Sequence, residues 1–262
     1  MSTDSATQGS IAWLKPGALD RNSMDVFQMT PGDVRLQVFA LPLSTAMMEA
    51  ESFDGSGFDA VGRPQILDVV RGIAEYGHPA FTSVTGDLIQ SAMGPTWDRG
   101  LRDDIASITG TSAATAMTAI TDCLDWLGVR RVAVATPFRD QQNAHVLKYL
   151  TDAGYEVAAI AGFPTHSLAD VRKLPHDAPL TLGKDVVARD RSAKALLMAC
   201  PLWAVGEYTP ALEDATGVPV LGIVNTMVWA GLHALGHPGN VKGYGRILED
   251  AQTPPSAVAG AA

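Results

Sequence analysis

The chain has 262 residues, 47% of them hydrophobic and 18% charged, with a formal net charge of −9 at pH 7. That length fits one large domain or two small ones, and that composition excludes disorder over most of it. An acidic chain without a basic stripe is poorly suited to nucleic acid or to an anionic membrane surface, and no apolar run reaches the roughly 18 residues of a membrane-spanning helix. The two cysteines, Cys123 and Cys200, are too few for a disulfide framework, and neither has the spacing of a zinc site.

Residues 1–10 are rich in Ser, Thr, Asp and Gly and read as a flexible start. They lack the cationic and apolar regions of a secretory signal, so the expected location is the cytoplasm. Short apolar runs then alternate with helical patterns. Residues 11–14, 34–41, 79–81, 132–135, 157–161, 195–199 and 218–224 read as buried strands. Residues 62–76, 113–127, 141–153 and 183–191 read as helices, with Gly128 and Gly154 as stops. Residues 251–262 read as a flexible tail. The alternation predicts βα units on parallel sheets.

No Gly-x-Gly-x-x-Gly follows a strand, and neither a phosphate-binding loop nor a nucleophile elbow occurs, so a dinucleotide site or a P-loop is not supported. In parallel α/β sheets ligands sit beyond the carboxyl ends of strands. Three strand ends then hold the chemistry: Thr82-Ser83 with Val84, Thr85, Gly86 and Asp87; Thr136-Pro137-Phe138; and Cys200-Pro201-Leu202-Trp203. Cys200 admits two readings, a buried apolar thiol or a reactive group at a strand end. A helix starting at Pro201 would favour its thiolate. Cys123 lies inside a helical pattern and reads as core. Thr82 and Ser83 read either as a helix cap or as donors to a carboxylate or oxyanion. Asp87 reads first as a helix-start carboxylate. His166 reads as a loop residue able to face the site.

The segments Phe81-Thr82-Ser83, 127–138, 195–200, Gly217-Val218-Pro219-Val220 and Gly243-Tyr244-Gly245-Arg246 resemble the aspartate/glutamate racemase superfamily, in its branch of arylmalonate decarboxylases and maleate cis–trans isomerases. The resemblance implies two similar Rossmann-like α/β lobes with parallel sheets, related by a pseudo-twofold axis, with the active site between them. The lobes would comprise residues 11–120 with 223–250, and residues 121–222. It implies a cofactor-free, metal-free enzyme acting on a small carboxylic acid, with Cys200 catalytic and Thr82, Ser83, Thr136 and Asn143 binding carboxylate or oxyanion. Phe81, Phe138, Pro201, Trp203 and His166 would line the pocket. In that alignment Phe81 stands where isomerases carry a first cysteine and decarboxylases a glycine. A single thiol protonates from one side only, which favours decarboxylation of a substituted malonate through an enediolate. Two departures work against it: Phe138 lacks the hydroxyl of the family's tyrosine, and Pro201 has no N–H. The rivals are a maleate-isomerase-like or racemase-like reaction, and a binding protein that kept the fold without the chemistry. The oligomeric state is not legible.

Overall fold

The computed structural model describes residues 9–17, 21–43, 55, 57–203 and 205–255. Of the expected flexible segments 1–10 and 251–262, residues 1–8 and 256–262 lie outside the described residues. Two four-stranded, all-parallel sheets form the framework. In the first, β2 (Val34–Leu41), β1 (Gly9–Pro16), β3 (Phe81–Val84) and β4 (Ser112–Thr115) lie in that order. In the second the order is β6 (Glu156–Ala161), β5 (Arg131–Ala135), β7 (Ala195–Met198), β8 (Val220–Gly222). The two orders are the same pattern, each strand of the first sheet having a counterpart four strands later.

Helices connect the parallel strands, as crossovers must. In chain order they are α1 (Arg21–Met29), α2 (Phe58–Tyr76), α3 (Asp87–Met93), α4 (Pro95–Thr109), α5 (Ala116–Trp126), α6 (Asp140–Asp152), α7 (Leu168–Val171), α8 (Ala178–Arg189), α9 (Thr209–Thr216), α10 (Ile223–Ala234) and α11 (Arg246–Glu249). β3, β7 and β8 are buried at every residue. Strands covered on both faces have no solvent side on which to place polar residues, hence the continuous apolar runs of β7 and β8; β3 buries Thr82 and Ser83 instead. Gly128 and Gly154 follow helix ends with φ of 68° and 91°, a conformation that carries almost no steric cost without a Cβ.

Several boundaries differ from the sequence reading. Residues 112–115 are β4 rather than the start of a helix, because the Thr115 hydroxyl accepts the Thr118 N–H and Thr118 returns the bond to the Thr115 N–H. This reciprocal cap starts α5 at Ala116. The third strand runs over Phe81–Val84, ending three residues beyond the expected 79–81. Gly9 and Ser10 belong to β1, not to a flexible start. At the other end Ala251 is fully buried and the Gln252 amide donates to the Leu232 and His237 carbonyls, so residues 251 and 252 are part of the packed structure.

One apolar core runs through both sheets. It joins Ile11, Trp13 and Phe81 to Val132, Val134 and Leu197 by way of Met117, Ile120 and Leu124 of α5 and Met227 and Trp229 of α10. The expected lobe boundary at residue 120 therefore falls inside a helix that both sheets share.

A polar contact also crosses between the halves. The Tyr149 hydroxyl of α6 donates to Asp98 Oδ2 of α4 at 2.7 Å, both side chains being buried, while Asp98 Oδ1 has no partner. Burial pushes the Asp98 carboxyl up to about 6 from its usual 3.8. The folded state thus takes up this proton before the unfolded state as pH falls. The penalty is full above about pH 6 and is relieved between pH 6 and 4, so on this group's account stability rises as pH falls through that window. We expect Asp98→Asn, which keeps an acceptor for Tyr149, to raise unfolding free energy at pH 7.5 by about 1–3 kcal/mol. The gain should shrink to near zero at pH 4. Urea melts at the two pH values measure it, and an equal shift at both would refute the burial argument.

Candidate active site between the two sheets

The carboxyl ends of the central strands of both sheets meet at a cavity of about 60 Å³. From the first sheet come Lys15 and Pro16 at the end of β1, then Thr85, Gly86, Asp87 and Leu88 beyond β3. The second sheet supplies Phe138 beyond β5, and Cys200, Pro201 and Leu202 beyond β7. A small apolar cluster of Leu88, Phe138, Val171, Ala199, Cys200 and Leu202 walls it.

The two halves match residue by residue here. Leu14 pairs with Val84 in the first sheet and Ala135 with Met198 in the second. The next residue repeats the match: Thr85 N–H donates to the Leu14 carbonyl and Ala199 N–H to the Ala135 carbonyl. One residue further on, Cys200 is therefore the counterpart of Gly86. Both hold positive φ, 86° at Cys200 and 146° at Gly86. By the same register Lys15-Pro16 corresponds to Thr136-Pro137.

Cys200 is only 2% exposed. A non-glycine residue at φ of 86° carries backbone strain, which tends to persist at functional sites. The residues after it form a turn, with the Trp203 N–H donating to the Cys200 carbonyl, so no helix begins at Pro201 to favour a thiolate. The Cys200 N–H donates to Asp87 Oδ2 at 3.1 Å. Asp87 is buried, and desolvation pushes its carboxyl up to about 6 against the opposing effect of backbone amides, including that of Cys200. The protein's own carboxylate thus occupies the amide at the reactive strand end.

The structure brings Cys200, Phe138 and Pro201 together at the cavity. Trp203 lies on the other side of Cys200, lining a narrow cleft with Gly222 and Asn225. Thr136 and Asn143 lie behind Phe138 rather than on the cavity: the Thr136 hydroxyl donates to Asn143 Oδ1 at 2.6 Å and accepts the Phe138 N–H, while the Asn143 amide donates to the Phe138 carbonyl. They hold the Phe138 turn. His166 is exposed, its N–H on Asp170.

Three expected residues are elsewhere. Phe81 packs in the core beside Gly231 of α10, where an added Cβ would come 3.2 Å from the ring. The Ser83 hydroxyl donates to the Ala12 carbonyl, and the Thr82 hydroxyl is buried without a partner. All three sit inside β3, short of its end. Thr85, Gly86 and Asp87 hold the place assigned to them. The repeated Lys-Pro and Thr-Pro pairs and a glycine directly before a helix are the sequence signals that mark the true strand ends. Cys123 is fully buried in α5, and burial pushes its thiol well above the usual value. Among the described residues no cluster of three or more His, Cys, Asp or Glu side chains could hold a metal ion, and no helix is long and apolar enough to cross a membrane.

Paired parallel four-stranded sheets whose strand ends meet at one cavity define a two-lobed α/β fold, and comparison with known proteins places the chain in a family of enzymes. A family model described as arylmalonate decarboxylase matches residues 25–248, and the chain belongs to that family. It is 26% identical over 216 residues to the arylmalonate decarboxylase of Bordetella bronchiseptica, covering 80% of this chain and 87% of the relative. Among solved structures, an arylmalonate decarboxylase variant in a sulfate-associated form superposes with a TM-score of 0.77 at 22% identity, over 92% of this chain and 100% of that one. A maleate isomerase variant of Pseudomonas putida S16 with maleate gives 0.78 at 18% identity, over 93% and 98%. A maleate cis–trans isomerase variant of Nocardia farcinica carrying a covalent succinylcysteine intermediate gives 0.76 at 17% identity, over 92% and 98%.

Proposed function

We propose that the protein decarboxylates a small substituted malonate and protonates the product on one face with Cys200. The observation that carries this reading is the asymmetry at the lobe interface: a thiol stands at Cys200, and a glycine, Gly86, at its pseudo-twofold counterpart. Glycine supplies no acid or base there. In the reaction the bond from the α-carbon to one carboxylate breaks. Its electron pair passes into the remaining carboxylate as an enediolate, and CO2 leaves. The Cys200 S–H then gives its proton to the α-carbon, and water returns one to the sulfur. The apolar wall of Leu88, Phe138 and Leu202 suits the leaving carboxylate, which becomes uncharged CO2.

Reaction in D2O with a panel of malonates and with maleate tests this. The expected result is CO2 release with one deuterium at the α-carbon and a single enantiomer. Maleate converted to fumarate without loss of mass would replace this reading with isomerisation by addition of the same cysteine. No turnover of any acid would leave a binding protein. Gly86→Cys probes the asymmetry. An added Cβ has room, 3.5 Å from the Gln90 amide, but the φ of 146° strains any side chain there, so the variant must first be shown to fold. The variant should exchange the α-hydrogen of the chiral product and scramble its configuration, because acids then stand on both faces. Chiral chromatography reads this, and a folded variant that exchanges nothing would show that position 86 does not face Cys200.

A further inference from the structure

The reaction scheme gives no part to Asp87, although it is a carboxylate buried beside the thiol. It is 4% exposed, directly follows Gly86 at the strand end of the first lobe, and lines the cavity with Cys200. Its Oδ2 accepts the Cys200 N–H at 3.1 Å, a bond that joins positions 113 residues apart and passes from one lobe to the other. A neutral asparagine or threonine side chain can accept the same bond. Taking a charge out of water is costly, and desolvation is the largest influence on this carboxyl. A charge kept where a neutral acceptor would serve points to a use for the charge itself.

The thiol is the group within its reach. Sγ belongs to the residue whose amide nitrogen Asp87 holds, which keeps it within roughly 7 Å of the carboxylate oxygen. A negative charge at that range disfavours a thiolate and preserves S–H. With its carboxyl pushed up to about 6, Asp87 is still ionised at neutral pH. The backbone does not oppose it: the chain turns after Cys200 without starting a helix, and the Cys200 N–H already serves Asp87. Among the described residues, the other charged side chains lining the cavity and the cleft beside it are Lys15 of β1 and Asp25 of α1, which are opposite in sign. In α7, which joins the same apolar cluster through Val171, Asp170 pairs with Lys173.

Resting on the decarboxylase reading above, we propose that Asp87 is a positioning residue for the proton: its carboxylate keeps Cys200 as S–H, the form that protonates an enediolate, and withholds the thiolate that addition to a double bond requires. When the α-carbon takes the proton, the electron pair of the broken S–H bond stays on sulfur. Water then returns a proton to it and leaves hydroxide. The neighbouring carboxylate disfavours the thiolate and so favours that return.

The ultraviolet absorbance of the thiolate tests this. Read as the difference between each protein and its Cys200→Ala counterpart, it titrates one thiol and needs no substrate. In wild type the midpoint should lie above the about 8.5 of a free cysteine. Asp87→Asn keeps an acceptor for the Cys200 N–H and loses the charge. It should lower the midpoint so that thiolate at a fixed pH rises roughly 10- to 100-fold. Asp87→Ser, a second neutral variant, should act in the same direction. The alkaline fall of kcat on a substituted malonate should move to lower pH with the midpoint. A carboxylate that served only the fold would change melting and leave both titrations in place. A wild-type midpoint below that of free cysteine overturns the proposal without any variant, and so does an unmoved midpoint in a folded neutral variant. The two readings fail separately. CO2 release with the midpoint unmoved in Asp87→Asn removes the role of Asp87 and keeps the decarboxylase. A lowered midpoint with no CO2 from wild type on any malonate removes the decarboxylase and keeps the hold of Asp87 on the thiol.

Discussion

Cys200→Ala should lower turnover by about 10²- to 10⁴-fold, the range that a positioned general acid contributes. The fold should survive, because the substitution removes one sulfur from the edge of a small cluster of six residues. It keeps the positive φ, however, and any side chain with a Cβ keeps the strain. Cys200→Gly should be equally inactive yet more stable than Cys200→Ala, by roughly 1 kcal/mol. Kinetics and thermal melts of the two variants together separate chemistry from backbone strain. Activity retained in Cys200→Ala on a true substrate would remove this thiol from the mechanism. Equal melting of the two variants would remove the strain argument.

Phe81→Ala should destabilise the protein by about 3–5 kcal/mol, as expected for removing a ring from a packed core. The ring is 2% exposed and packs against α10 in the core that joins the two sheets. Partial collapse is limited because Ile11 and Gly231 are fixed by β1 and by the helix. The folded fraction should keep its kcat, since no atom of Phe81 lines the cavity. Phe81→Cys should likewise produce no exchange at an α-carbon, in contrast to Gly86→Cys. Chemical denaturation gives the first quantity and deuterium exchange the second. Exchange catalysed by Phe81→Cys would return residue 81 to the site.

The architecture was legible because parallel sheets write themselves as apolar runs. β2 matches its expected span in full, and β5 and β6 each differ by one residue at the start. Cys200 was legible because an unbroken run, Ala-Leu-Leu-Met-Ala, leads up to it. The matching strand of the other sheet was not. Thr82 and Ser83 interrupt the apolar pattern of β3, and two hydroxyls after a phenylalanine look like the end of a strand. Inside a sheet covered on both faces, Ser83 satisfies its hydroxyl on a neighbouring backbone carbonyl, and the strand continues to Val84. The displaced end carried the proposed carboxylate cradle away from the true cavity. Lys15 was missed for a related reason. Ending β1 at Leu14 left out Lys15 and Pro16, the pseudo-twofold counterparts of Thr136 and Pro137.

The core shared by the two sheets has a consequence for how the molecule behaves as a whole. Enzymes with their site between two lobes often open like jaws, each lobe keeping its own interior. Here Met117 of α5 and Trp229 of α10 belong to one buried cluster with Val134 and Leu197, so a wide opening would break that cluster. The shared core favours entry to the cavity by small displacements of the strand-end loops over separation of the halves. Equilibrium unfolding should follow one cooperative transition in spite of the duplicated outline. A fragment ending before β5 would expose the apolar face of α5, and would not be a soluble half-protein.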